Sequence, residues 1–206
     1  MGDTLQPQLY LITPPEIDLS TFPSLLQGVL DVRTIACIRL APSSQDETLV
    51  IKTADALREI AHARDIPLVI ERHVQLVERL GLDGVHLTDG GRGLRKIRDD
   101  LGDDPIIGAH CGTSRHDGLS AGEAGADYIA FGPVRATVMG DGSAVEQELF
   151  EWWSEVIEIP VVAEGNLSVA DVERLAPFTD FFAVGAEIWG SDDPAQALRD
   201  LTAPLF

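Results

Sequence analysis

The chain alternates short apolar runs with longer amphipathic ones. The apolar runs fall at 8–12, 34–40, 67–71, 84–87, 105–109, 128–131, 160–164 and 181–184. They are rich in Val, Ile, Leu and Phe, with few polar positions. Strands buried on both faces of a parallel sheet read this way. Helical patterns fill the gaps at 48–63, 74–80, 94–101, 147–157, 169–176 and 195–201. In the clearest, 48–63, Leu49, Ala56, Leu57 and Ile60 define an apolar face, with Lys52, Asp55, Arg58 and Glu59 mostly elsewhere. Asp46, Ser114 and Ser168 suit N-caps.

Three segments echo one another: Gly81-Leu82-Asp83-Gly84-Val85, Gly125-Ala126-Asp127-Tyr128-Ile129 and Phe178-Thr179-Asp180-Phe181-Phe182. Each is a helix stop, an Asp and a buried strand. The glycines suit a left-handed position after a helix. Eight such βα units predict an α/β fold, a single closed (β/α)₈ TIM barrel over residues 1–206. A doubly wound open sheet is the alternative. No linker or second domain interrupts the pattern.

Composition narrows the function classes. Hydrophobic residues make up 45% and charged residues 24%, which is ordinary for a globular chain. No apolar run is long enough to span a bilayer. The opening residues lack a basic stretch followed by an apolar one, so a cytoplasmic location is expected. The formal net charge is −19, which repels phosphate backbones and anionic lipid. Nucleic acid and membrane partners are therefore not expected. A small anionic substrate is still compatible, because local donors outweigh a distant, screened charge. Two cysteines, Cys37 and Cys111, without a Cys-x-x-Cys pair, exclude a zinc ribbon. A homo-oligomer stays open.

In a barrel of this kind, the loops after the strands carry function. Here they hold Arg39, Glu71, Arg72, His73, His86, Asp89, His110, Arg135 and Glu164. Gly165, Asn166, Gly185 and Ala186, after the last two strands, suit a phosphate, since glycine permits close backbone approach. They also suit plain tight turns. Glu187 lies beside them and opposes an anion if it points inward. Cys111-Gly112-Thr113-Ser114 offers a second phosphate turn, at Thr113 and Ser114, or simply a capped helix start. Cys111 as a nucleophile is a weaker reading. Glu71, Asp89, His110 and Glu164 offer donors for Mg²⁺, or carboxylates pairing with Arg39 and Arg72. His86, between Val85 and Leu87, reads as a satisfied core histidine. The loop 132–146 carries glycines that permit closure over the site.

Taken together, these segments resemble the thiamin-phosphate synthase and TenI (thiazole tautomerase) superfamily. Leu9-Tyr10-Leu11-Ile12-Thr13, Ile66-Pro67-Leu68-Val69-Ile70 and Gly81-x-Asp-Gly-Val-His-Leu87 carry the match. So do Gly125-Ala-Asp-Tyr-Ile-x-x-Gly-Pro-Val134, Ile159-Pro-Val-Val-Ala-Glu-Gly165 and Phe182-Ala-Val-Gly-Ala186. The resemblance implies that a pyrimidine diphosphate and a thiazole phosphate, both phosphorylated small molecules, are joined to give thiamin phosphate. Diphosphate leaves with Mg²⁺ help, and the thiazole nitrogen captures the pyrimidine cation.

Several positions depart from the family pattern. Its Gln-x-Arg-x-Lys reads Cys37-Ile-Arg39-Leu-Ala41. Its Asn-Asp, where the Asp holds Mg²⁺, reads Glu71-Arg72. Its later Mg²⁺ aspartate aligns near Gly91, with Asp89 the nearest substitute. Its Thr-x-Thr-Lys becomes Thr137-Val138-Met139-Gly140, and its phosphate Gly-Gly becomes Gly165-Asn166. The resemblance thus assigns Arg39, with Arg72 or a Mg²⁺ on Glu71 and Asp89, to the diphosphate. His110 is the candidate acid–base group, and His116 its alternative, if the chain is instead a thiazole tautomerase. A third reading is a binding protein for a thiamin intermediate without turnover.

Overall fold

The computed structural model describes residues 6–136 and 142–206. The strands are β1 (Gln8–Ile12), β2 (Ile35–Leu40), β3 (Leu68–Glu71), β4 (Gly84–Leu87), β5 (Ile106–His110), β6 (Tyr128–Phe131), β7 (Val161–Glu164) and β8 (Phe181–Val184). They pair in sequence order, all parallel, and β8 closes onto β1. The helices are α1 (Phe22–Leu30), α2 (Glu47–His62), α3 (Val74–Leu80), α4 (Leu94–Leu101), α5 (Arg115–Glu123), α6 (Gln147–Val156), α7 (Val169–Leu175), α8 (Ala186–Trp189) and α9 (Pro194–Leu201). This is the closed (β/α)₈ barrel that the alternation predicts. Among the described residues, no helix is long and apolar enough to cross a membrane.

The repeated Asp has a physical role at the N-terminal end of the barrel. Asp83 precedes β4, and its carboxylate accepts the N–H of Leu68 at the start of β3, at 2.7 Å. Asp127, before β6, accepts from Ile107 in β5 at 2.7 Å, and Asp180, before β8, from Val161 in β7 at 2.8 Å. In each pair the aspartate's own N–H donates back to the carbonyl of that same residue. The repeat therefore stitches alternate pairs of strands together. Gly81 and Gly125 take the positive φ expected after a helix, +61° and +102°.

The caps form as predicted. Asp46 accepts from the amides of Thr48 and Leu49, Ser114 from Asp117, and Ser168 and Asp171 make a reciprocal capping box. The apolar face of α2 needs correction. Its buried stripe is Val50, Ala54, Leu57 and Ala61, while Leu49 stays 42% exposed. Starting one residue along rotates the face by about 100°. Helices α1, α5 and α8 lie outside the predicted set. In α5 the pattern is blurred by Gly118, where an added Cβ would lie 2.7 Å from Phe131 and 2.8 Å from Trp153. That glycine lets the helix seat closely on the barrel.

Period-two alternation sorts the strand residues into two shells. One cluster lies between barrel and helices, with Leu11, Ile38, Leu68, Ile70, Ile129 and Phe131 among its members. A second, smaller one fills the barrel: Tyr10, Cys37, Val69, Tyr128, Ala130, Val162 and Ala183. Two residues beyond Cys37, Val69 and Val162, on the same inward face, come Arg39, Glu71 and Glu164. Register places His86 beside Glu71. The barrel interior thus changes from apolar to ionic toward the C-terminal mouth.

Candidate active site

Arg39 is the centre of the mouth. It is only 5% exposed. Its Nε lies 3.3 Å from Glu71, and Nη1 lies 2.9 Å from Glu164. Glu164 also lies 2.7 Å from His110 Nδ1. Four side chains from β2, β3, β5 and β7 therefore meet over the barrel axis. Burial of so many ionisable groups is tolerable because they pair. The alternative of carboxylates pairing with Arg39 is what the structure contains.

A hydrogen-bonded column supports Arg39 from below. Nη1 also lies 2.6 Å from His86 Nε2. His86 Nδ1 lies 2.8 Å from the Tyr128 hydroxyl, which lies 2.6 Å from that of Tyr10. A guanidinium only donates, so Nε2 accepts. Nδ1 then carries the proton and donates to the Tyr128 oxygen, which shares a further hydrogen bond with the Tyr10 hydroxyl. The polarity of the column from Arg39 to Tyr128 follows from the arginine. Gly108 makes room for it, since an added Cβ would overlap the Tyr128 ring.

A neutral His86 agrees with its role as acceptor from Arg39. Burial and the neighbouring Arg39 hold the His86 imidazole well below its usual 6.5. Burial, then each other's proximity, push the Tyr10 hydroxyl up; burial does the same to Tyr128. For Glu164, burial alone would raise the carboxyl, but Arg39 and His110 hold it well below the carboxylate range. Glu71 goes the other way. Its ion pair with Arg39 would lower it, but burial dominates and Glu164 adds to the rise. Arg39 is shared between two carboxylates and favours the closer one. Glu71 is therefore the more readily protonated of the two.

Three buried atoms meet their partners at ion-pair distance without hydrogen-bond alignment: Arg39 Nε, His110 Nδ1 and Glu164 Oε2. Buried polar atoms with unused bonding capacity call for an explanation, and a ligand supplies one. A cleft of about 980 Å³ opens above them. Its lining brings together Arg39, Glu71, Arg72, Gly165, Asn166, Gly185 and Ala186. Thr113, Ser114 and Asp89 do not line it, and His110 borders it through Glu164. Thr113 and Asp89 are exposed, and Ser114 is engaged as the cap of α5. His116 is exposed on α5. Residues 137–140, which replace the family's Thr-x-Thr-Lys, lie outside the described residues, as does residue 141 of the same 132–146 loop, whose glycines would permit closure.

The glycines at the mouth pack as well as permit. Gly165, at φ +91°, has Pro133 within 2.8 Å of where a Cβ would sit, and at Gly132 a Cβ would lie 2.5 Å from the Glu164 carbonyl. These close approaches set the backbone that presents Glu164. Arg72 and Asn166 also take positive φ, +61° and +59°. Such conformations cost non-glycine residues about 1 kcal/mol or more, and they gather at functional sites.

Neither cysteine is a ready nucleophile. Burial pushes the Cys37 thiol up to about 12, and burial with Asp117 nearby does the same for Cys111. At neutral pH both are thiols, the unreactive form. Glu71 and Asp89 do not form a preformed Mg²⁺ cage: Glu71 faces Arg39, and Asp89 stands exposed outside the cleft lining. Among the described residues, no three His, Cys, Asp or Glu side chains converge as a ligand set.

Sequence reasoning passed over Tyr10 and Tyr128, which lie inside the barrel. Their signal was a tyrosine at an inward position of a strand. Thr13 is also buried at the mouth, where its hydroxyl accepts from the Ala41 amide at 3.0 Å. Trp189 lines the cleft and donates to the Ile12 carbonyl at 2.7 Å.

Known proteins bear the same arrangement of elements. The chain aligns over 94% of its length with a thiamine-phosphate synthase of Rhodospirillum centenum, at 35% identity and 95% of that protein. A thiamine-phosphate synthase of Erythrobacter litoralis is 36% identical, with 95% of this chain and 94% of the relative covered. In structure, a thiamine phosphate pyrophosphorylase from Pyrococcus furiosus superposes with a TM-score of 0.81 at 23% identity, over 96% of this chain and 95% of that one. The model of the thiamine monophosphate synthase family matches residues 9–188, and the chain belongs to that family.

Proposed function

We propose that this protein, acting as one domain, joins a pyrimidine diphosphate to a thiazole phosphate, releasing diphosphate and forming thiamin phosphate. The observation that carries the reading is the Arg39 centre at the floor of a cleft whose far wall is the β7 and β8 loops. The curated relatives named above carry this activity in their names.

The chemistry follows from the charges. The bond between the pyrimidine methylene carbon and the diphosphate oxygen breaks, and its electron pair leaves with diphosphate. The thiazole nitrogen then donates its lone pair to the methylene carbon. The demand on the protein is to stabilise a growing negative charge, not to provide a strong base. Arg39 stays a cation, raised further by Glu164 despite its burial. Glu71 and Glu164 hold its guanidinium in orientation. Arg72 adds a second guanidinium at the cleft, suited to bidentate phosphate contact. Gly165, Asn166, Gly185 and Ala186 take the thiazole phosphate. Positive φ at Gly165 and Asn166 turns the backbone sharply where it lines the cleft, and glycine permits close approach of an anion to the backbone. Thr113 and Ser114 play no part in this reading. The expectation of Mg²⁺ rests on the carboxylates after the strands and on the family resemblance. Glu71 and Asp89 as arranged do not fit it, since Glu71 faces Arg39 and Asp89 is exposed outside the cleft lining.

A second reading has its own observation. His110 and Glu164, 2.7 Å apart, form a carboxylate–imidazole pair of the kind used for acid–base work. A thiazole phosphate tautomerase would need that pair and the phosphate cradle only.

The test is formation of thiamin phosphate from the two substrates, with and without Mg²⁺. Product supports the synthase. No product under either condition, with a known synthase active alongside, overturns it and favours the tautomerase.

A further inference from the structure

One carboxylate sits in the cradle itself. Glu187 Oε1 accepts the N–H of Leu167 at 2.9 Å, and Oε2 accepts the N–H of Gly185 at 2.9 Å. The two amides come from different loops, one after β7 and one at the end of β8. Each takes a different oxygen of the same group. Among the described residues, no Lys, Arg or His side chain lies within ion-pair distance of Glu187. The anion is therefore held by backbone donors alone. Two oxygens on two converging amides is also how a phosphate would bind there.

We infer that Glu187 is a built-in occupant of the phosphate cradle, which a phosphorylated substrate must displace. This inference rests on reading the β7 and β8 loops as that cradle. The two anions exclude each other for two reasons. Each amide has one hydrogen to give, and a phosphate placed beside the docked carboxylate would meet its charge at close range. Substrate affinity is then reduced by the fraction of molecules in which Glu187 is undocked. Glu187 is partly exposed and lies in the first turn of the short helix α8, so its side chain can swing into the cleft it lines. The consequence is a raised threshold for occupancy. The docked carboxylate lowers the affinity of every anion at the cradle by the same factor, so a weakly held anion stays unbound at concentrations where a ligand with further contacts in the cleft binds. Glu187 is thus an affinity-setting residue, not a catalytic one.

The test is calorimetric binding of three probes to the full chain: hydroxyethylthiazole phosphate, the unphosphorylated alcohol and inorganic phosphate. Wild type is compared with Glu187→Gln and Glu187→Ala. Gln keeps one oxygen for one amide, so it guards against loss of the loop fold, which thermal unfolding monitors. If Glu187 is docked about 90–99% of the time, both variants bind the phosphorylated thiazole and inorganic phosphate about 10- to 100-fold more tightly. Affinity for the alcohol is unchanged. Equal or weaker phosphate binding by folded variants overturns the inference and makes Glu187 a staple between two loops. Absence of phosphate binding by all three proteins overturns it too. The outcome separates from that of the synthase reading. Wild type that makes thiamin phosphate while Glu187→Gln shows no gain contradicts only the plug. Wild type that makes none while Glu187→Gln gains phosphate affinity contradicts only the synthase.

Discussion

The two ends of the barrel use carboxylates in opposite ways. At the N-terminal end, Asp83, Asp127 and Asp180 each accept one strand amide, and the three contacts are copies of one another. At the C-terminal mouth, Glu71 and Glu164 converge on one arginine, and no two contacts are alike. The first arrangement is local and repeated, and it ties neighbouring strands together. The second is assembled from four strands, β2, β3, β5 and β7, and stays partly unsatisfied. Strand stapling and the ionic cluster are thus separated along the barrel axis, as expected for this architecture.

The largest effect is expected at the mouth. Arg39→Met leaves Glu71 and Glu164 facing each other without a cation. Losing one partner of a buried ion pair costs about 3–5 kcal/mol. Thiamin phosphate formation should fall at least about 100-fold, since transition-state charge contacts contribute on that order. Urea unfolding and a product assay on the same preparation measure both. Unchanged turnover would remove Arg39 from the mechanism.

A smaller effect is expected from acid. His86 is neutral in the fold and titrates near 6.5 when unfolded. Below pH 6.5 the unfolded chain binds a proton that the folded chain does not. Stability therefore drops with acid, by up to about 1.4 kcal/mol per pH unit from this group. Glu164 acts lower down. Its carboxyl is depressed from 4.5, so its contribution is complete above that value and is lost as pH falls below it. His86→Gln keeps an acceptor for Arg39 and a donor for Tyr128 without titrating. Between pH 5.5 and 7 its unfolding free energy should vary less with pH than that of the wild type. Equal slopes would mean that His86 is not the group responsible.

At the other end, Asp127→Asn weakens a charged acceptor shared by the Ile107 amide and the Arg98 guanidinium. The expected cost is about 1 kcal/mol, read as a lower Tm with kcat/KM unchanged. Loss of activity beyond the loss of folded protein would contradict the separation of the two ends. The smallest effect belongs to Cys111→Ser. With a thiol raised to about 12 the residue does no chemistry, so kcat should stay within about twofold, at a modest stability cost typical of a buried substitution.

The same contrast explains what the sequence revealed. The repeated Asp before β4, β6 and β8 and the eight apolar runs are periodic and local, so strand order and closure could be read from them. Ser114 and Ser168 were legible as caps for the same reason. The Arg39 cluster was legible only in part. Arg39, Glu71, His110 and Glu164 were recognisable as residues after strands, but their pairing depends on inward alternation across β2, β3, β5 and β7. Tyr10 and Tyr128 were hidden because a buried tyrosine in a strand reads as core. Glu187 was visible as a charge beside the glycines, but its direction depends on two backbone amides, which no side-chain pattern reports. Helix α5 was missed because its seating relies on Gly118, the absence of a side chain.

The central claim, that the Arg39 mouth makes thiamin phosphate, is tested most directly by steady-state product formation with wild type and Arg39→Lys, from pyrimidine diphosphate and thiazole phosphate. The account predicts thiamin phosphate and diphosphate in equal amounts from the wild type, with kcat/KM at least about 10-fold lower for the folded lysine variant, which keeps the charge but loses the planar fork. A folded wild type that forms no thiamin phosphate, or a lysine variant that forms it at the wild-type rate, would contradict it.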